Sequence, residues 1–145
     1  MKVGFGCDAK GFRLKHKLIP ILEADNHEID DVGCYSLDRV DYPDFAKLVG
    51  DGVVSGKYDR GILICGTGQG MGIAANKVKG VRAAVCYDMF TAILSRDHND
   101  ANVFCTGAWI IDHNKAGEII LQWLDMGYSG VHCSKIEKIA GIENS

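Results

Sequence analysis

The stretch Gly61-Ile62-Leu63-Ile64-Cys65-Gly66-Thr67-Gly68-Gln69-Gly70-Met71-Gly72-Ile73-Ala74-Ala75-Asn76-Lys77 constrains this chain more than any other. It opens as a short, uncharged apolar run, the pattern of a strand buried on both faces. Gly66, Gly68, Gly70 and Gly72 then break the run at alternate positions, and Ile73 to Lys77 reads as the start of a helix. Strand, glycine loop and helix in that order turn backbone N–H groups toward one point, which suits an anion or a developing oxyanion. Cys65 ends the predicted strand and Thr67 lies in the loop, so a thiol and a hydroxyl stand beside those donors. A tight turn beside a core cysteine would use the same residue types. One turn needs only one or two glycines, however, and this loop has four.

The remaining chain supplies the frame for that loop. Val3 to Asp8, His27 to Val32, the run ending at Cys65, Val81 to Cys86 and Asn102 to Cys105 read as five strands. Between them, Leu14, Leu18, Ile21 and Leu22 fall at helical spacing, with Lys15, Lys17 and Glu23 predicted to face away. Pro20 is predicted to kink that helix or shorten its hydrogen-bond ladder. Phe45, Leu48, Val49, Val53 and Val54 repeat the helical period after a loop from Gly33 to Pro43. Met89 to Arg96, the stretch from Ala116 to Leu124, and Lys135 to Ile142 with Ser134 as its cap complete the set. Strands alternating with helices predict an α/β fold: a Rossmann-like, doubly wound, mostly parallel sheet of about five strands with helices on both faces. Such sheets bind ligands at the carboxyl ends of their strands, where Asp8, Cys65 and the segment after Cys86 all fall.

Composition narrows the function classes. With 145 residues, 47% hydrophobic and 24% charged, the chain is expected to form one domain over residues 1–145. A formal charge of −3 gives no basic field, so nucleic acid is not an expected partner. No apolar run is long enough to cross a membrane, and Lys2 followed by Gly4, Gly6 and Asp8 is no signal-peptide pattern. The six cysteines contain no Cys-x-x-Cys pair, so neither a zinc site nor a dithiol is expected. Cys7, Cys34, Cys86, Cys105 and Cys133 read as packing residues, and thiols in apolar runs suit a reducing, cytoplasmic setting. His16, His27 and His113 have no motif and read as solvated.

Nucleotide fingerprints fail. A dinucleotide loop requires Gly-x-Gly-x-x-Gly, but Met71 or Ile73 stands at the third position, depending on the register. The turn Gly6-Cys7-Asp8-Ala9-Lys10-Gly11 fails as well, and Gly70-Met71-Gly72 is not the end of a P-loop.

Several motifs taken in order carry a resemblance. Gly6-Cys7-Asp8, Asp41-Tyr42-Pro43, Cys65 to Gly70, Ala74 to Lys77 with Gly80 to Ala83, and Ser95 to Val103 resemble the ribose-5-phosphate isomerase type B family, which includes the galactose-6-phosphate isomerase subunits. The likeness covers nearly the whole chain. It implies a homodimer or homotetramer with shared active sites that interconverts an aldose and a ketose phosphate through an enediolate, without metal or cofactor. It implies Cys65 as the base, with its thiolate favoured by nearby N–H donors. It further implies that the Gly66, Gly68 and Gly70 amides hold the enediolate oxygen, with Thr67 orienting it. His98 matches the group that opens the furanose ring, Asn99 and Asp8 match sugar-hydroxyl partners, and Tyr42 matches a pocket-lining residue. Without the motif, His98 would read as a surface or capping residue and Asp8 as a helix cap.

The anion end departs from the family's pattern. Ala9 stands where histidine is common, Trp109 and Val131 where arginine is common, and Lys135 matches a further arginine. Lys10, His132 and Lys135 are the cations left to hold a substrate phosphate, without the bidentate geometry of arginine. Three readings follow. They are a ribose-5-phosphate isomerase with an altered anion pocket, the same mechanism on another and even unphosphorylated sugar, and a non-catalytic phosphate- or nucleotide-binding module. Cys65 with His98 favours an enzyme, because anion binding alone needs neither.

Overall fold

A computed structural model describes all of residues 1–145. Five strands form one sheet: β1 (Lys2–Cys7), β2 (Glu28–Gly33), β3 (Arg60–Cys65), β4 (Ala83–Val85) and β5 (Val103–Gly107). They lie in the order β2-β1-β3-β5-β4, and every neighbouring pair is parallel. The intervening helices are α1 (Phe12–Ala24), α2 (Tyr42–Val54), α3 (Gln69–Ala75), α4 (Met89–Asp97) and α5 (Ala116–Asp125), followed by α6 (Cys133–Glu143).

Side chains alternate across the central strands, so each face has its own core. Val3, Phe5 and Cys7 of β1, with Ile62, Ile64 and Phe104, pack against Leu14, Leu18 and Leu22 of α1, Ala92 of α4 and Ile120, Trp123 and Leu124 of α5. Leu63, Cys65, Val103 and Cys105 point the other way, toward Ala46 and Val49 of α2 and Met71 and Ala75 of α3. Each fully buried leucine or isoleucine contributes about 1.5–3 kcal/mol, so both layers hold β3 firmly.

The sheet switches direction between β1 and β3. The chain leaves β1 toward the α1 face and leaves β3 toward the α3 face, so the two connections part and open a crevice. Asp8 follows β1 and Cys65 ends β3; the Asp8 amide donates to the Ile64 carbonyl at 3.2 Å, which ties the two strand ends together.

Three local expectations need correcting. Lys15 does not face away: it is fully buried, and its ammonium pairs with Asp31 and donates to the Cys34 carbonyl at 2.7 Å. Those partners offset the cost of burying the charge. Pro20 lies inside α1, supplies no N–H to its ladder, and is followed by four further helical residues to Ala24. The predicted strand from Val81 to Cys86 contracts to Ala83–Val85 at the edge of the sheet, while β5 extends to Gly107. Ser134 is inside α6, and His132 occupies the capping position without a side-chain hydrogen bond.

Candidate active site

The crevice holds a cavity of about 210 Å³ lined by Asp8, Lys10, Tyr42, Cys65, Gly66, Thr67, Gly70 and Trp109. Cys65 is 5% exposed, and its sulfur accepts a hydrogen bond from the Gly68 N–H at 3.2 Å. Gly68 makes that bond from φ +83°, a conformation that a side chain resists, and an added Cβ would lie 2.8 Å from the Thr106 carbonyl carbon. The N–H groups of Gly66, Thr67 and Gly70 have no acceptor within the chain. Three amides without an acceptor beside a buried thiol are donors of the kind an enediolate oxygen would need.

The walls come from neighbouring elements. The Tyr42 ring, in the first turn of α2, lies close over Gly70, where an added Cβ would meet its Cζ at 2.5 Å. Trp109, just beyond β5, lies over Gly66 in the same manner. The Lys10 ammonium stands 5.4 Å from the centre of the Trp109 ring and has no carboxylate partner. Asp8 is 5% exposed and accepts from the Lys10 and Gly11 amides at 3.0 and 3.2 Å through one carboxylate oxygen. It therefore both caps the turn into α1 and faces the pocket. A larger groove of about 750 Å³ shares Asp8, Lys10 and Tyr42 with this cavity and runs out past Leu37, Arg39 and Asp44.

The other cysteines have no such setting. Burial pushes the Cys7 thiol up to about 12, and burial likewise raises Cys86 and Cys105. Cys133 is exposed, while Cys34 is buried with its sulfur 3.9 Å from that of Cys7. Cys65 alone combines a pocket with a backbone donor aimed at its sulfur.

The remaining expected residues do not line this cavity. His98 caps the end of α4, Asn99 follows it, and the His98 ring meets the His132 ring edge-on with centroids 5.0 Å apart. Asn99 lines a different cavity, with Arg82, Ile139 and Ile142. Lys135 lies in the first turn of α6, a helix with no buried residue. Within one chain, then, Cys65, Thr67, Asp8, Tyr42 and the glycines come together, and His98, Asn99, His132 and Lys135 form a separate group.

Two residues in contact with the loop had no role in the sequence reading. Tyr87 donates to the Thr67 carbonyl at 2.5 Å, and Gln69 donates to the Tyr87 hydroxyl at 3.0 Å. The available signal was position, since Tyr87 immediately follows the end of β4 and its Cys86 neighbour.

An all-parallel Rossmann-like sheet with a thiol and free amides at its switch point defines an α/β protein built to act on a small ligand. The particular family comes from comparison: the Ribose/Galactose Isomerase family model matches residues 3–139. The chain belongs to that family and is an aldose–ketose isomerase. It is 45% identical over 143 residues to the ribose-5-phosphate isomerase B of Escherichia coli, covering 98% of this chain and 96% of that one. It is 38% identical to a D-erythrulose-4-phosphate isomerase of Pectobacterium atrosepticum, covering 99% of this chain and 96% of that one. The solved ribose-5-phosphate isomerase B of Clostridium thermocellum superposes with a TM-score of 0.96 at 43% identity, covering 99% of this chain and 98% of that one. No helix is long and apolar enough to cross a membrane.

Proposed function

We propose that the chain interconverts ribose 5-phosphate and ribulose 5-phosphate, with the Cys65 thiolate as the base. The observation that carries the reading is the Gly68 N–H donated at 3.2 Å to the sulfur of a buried thiol on the pocket wall, beside the free amides of the loop. The thiolate removes the proton from the second carbon of the open-chain aldose. The electron pair moves toward the carbonyl to give an enediolate, and the free amides of Gly66, Thr67 and Gly70 stabilise its oxygen. The thiol then returns the proton to the first carbon while the hydroxyl proton on the second carbon's oxygen passes to the first carbon's oxygen, which leaves the ketone at the second carbon. Thr67 orients the reacting oxygens, and Asp8 and Tyr42 hold the sugar chain.

His98 and Asn99 open the ring and hold hydroxyls from a partner copy, in a homodimer or larger assembly with shared sites. Their separation from the Cys65 cavity within one chain supports that arrangement, as does the unburied α6 beside them. The working unit has no metal or cofactor.

A second reading has its own support: Trp109 and Lys10 form the wall where an arginine clamp would stand. Relatives named for both pentose and tetrose phosphates make another sugar a real alternative. Isomerisation assays on ribose 5-phosphate, ribose and D-erythrulose 4-phosphate, each repeated with Cys65→Ala, decide between the readings. Turnover of ribose 5-phosphate well above the others, lost in Cys65→Ala, is the expected result; a preference for either of the others establishes the second reading.

A further inference from the structure

We propose that Tyr87 is a positioning residue for the isomerisation, acting on Cys65 through a single peptide unit of the glycine loop. The proposal rests on the reading of Cys65 as the base. The Thr67 carbonyl and the Gly68 N–H belong to the same peptide unit. Its oxygen accepts from the Tyr87 hydroxyl at 2.5 Å, and its N–H donates to the Cys65 sulfur at 3.2 Å. One planar group is thus held at both ends, by a phenol on one side and the thiol on the other.

Without the phenol this peptide has freedom to turn over. Gly68 sits at φ +83°, and glycine adopts either sign of φ at little cost. A turned-over peptide would withdraw the N–H from the sulfur and point a carbonyl oxygen at it, which disfavours a thiolate. The Tyr87 hydroxyl opposes this by holding the Thr67 oxygen on the outer side of the loop. Gln69 donates to the same hydroxyl at 3.0 Å, occupying a lone pair and leaving the phenolic hydrogen for Thr67. The bond to the carbonyl also polarises the peptide, which strengthens its N–H as a donor.

Tyr87 does not touch the reacting atoms. It is absent from the Cys65 cavity and lines a separate one of about 530 Å³ with Asp88, Met89 and Ile110. The ionisable groups facing Cys65 are Asp8 and Lys10 from the β1–α1 turn, Tyr42 from α2 and Cys105 from β5. None of them is altered by removing the Tyr87 hydroxyl, so its loss reports on the peptide alone.

The test is Tyr87→Phe in the full-length enzyme, with two readouts. Steady-state kinetics separate kcat from KM, and the pH profile of Cys65 alkylation by iodoacetamide is followed by mass spectrometry of its peptide. Loss of the Tyr87 hydrogen bond to the Thr67 carbonyl should lower kcat about three- to tenfold with KM within about twofold, and raise the alkylation midpoint by about half to one pH unit. Gln69→Leu, at an exposed position, should move both readouts the same way by about twofold or less. It keeps the test available if Tyr87→Phe folds poorly. An unmoved midpoint in folded protein, with or without a fall in kcat, overturns the proposal, because a merely structural tyrosine would lower thermal stability and leave the profile in place. Full activity in Cys65→Ala would instead sink the reading of the base, and the alkylation profile would still report whether Tyr87 acts on the sulfur.

Discussion

Cys65 is 5% exposed and takes its donor from the backbone, whereas the His98 side chain is 41% exposed and rests against another side chain, His132. The first group is held by a strand end, a glycine loop and two layers of core. The second is held by charges. Arg96 donates to Asp100 at 2.9 Å, to the Ala101 carbonyl at 2.6 Å and to the Met126 carbonyl at 3.1 Å. Arg82 closes on the other oxygen of Asp100 at 3.1 Å. Catalytic chemistry that needs a fixed oxyanion site is best built on backbone, since amides there cost no reorganisation during reaction. A group proposed only to open a ring, as His98 is here, tolerates being carried on exposed side chains.

The sharpest way to break this contrast is to remove the sulfur. Cys65→Ala should lower turnover by about 10²–10⁴-fold, the range of a positioned base, while the melting temperature stays within a few degrees of the parent. Exchange of solvent protons at the second carbon of the substrate should stop with it. Exchange that continues undiminished identifies a different base.

Mixing variants probes whether the two regions meet across copies. Cys65→Ala and His98→Ala chains should each be nearly inactive. After co-refolding, about half of the dimers are mixed, and each has one of its two sites intact, so about a quarter of the parental activity should return. If both groups act within one chain, nothing returns.

A smaller effect should follow from cutting the charged brace. Arg96→Met leaves Asp100 with Arg82, the Ala101 carbonyl without its guanidinium donor and the Met126 carbonyl with Arg60 alone, at a cost of about 2–3 kcal/mol in denaturant melts. Because Arg96 makes no hydrogen bond to the glycine loop and meets β3 only through the Met126 carbonyl that Arg60 shares, the rate of Cys65 alkylation in the folded protein should not change. A parallel loss at Cys65 would show that the two regions are one mechanical unit.

The difference between the regions also governs what the sequence shows. Gly66, Gly68 and Gly70 announce the loop because backbone close approach and positive φ demand a particular residue, and the demand is written locally. Strand alternation likewise exposes the parallel sheet, and the carboxyl-end rule places Asp8 and Cys65 side by side. The burial of Lys15 is illegible in the sequence because helical spacing records which face a residue occupies and not whether Asp31 waits there as a partner. The link from Tyr87 to Thr67 joins residues twenty apart through a side chain, and Arg82 reaches Asp100 eighteen residues away. No local pattern encodes such contacts. The position of His98 relative to Cys65 has a further reason for being illegible: one chain does not bring them together.

The smallest expected effect concerns the anion end, where the contrast becomes one between Lys10 and the α6 side. Lys10 lies on the Cys65 cavity with no carboxylate partner, while Lys135, His132 and Val131 belong to the other group. The Lys10 ammonium stands over the Trp109 ring, and under the proposed reading it would meet a substrate phosphate as a point charge. A charge-assisted hydrogen bond contributes about 1.5–3 kcal/mol, less when the lysine is exposed and screened, so Lys10→Ala should raise KM for ribose 5-phosphate about tenfold at low salt. KM for the unphosphorylated sugar should stay within about twofold, and the gap should narrow as salt rises. Val131→Arg should tighten the phosphorylated substrate by a similar or smaller factor, provided that a partner's α6 side closes over the Cys65 cavity. An effect of Val131→Arg that exceeds that of Lys10→Ala would place the anion end on the α6 side. A strong phosphate preference that neither Lys10→Ala nor Lys135→Ala disturbs would remove both groups from it.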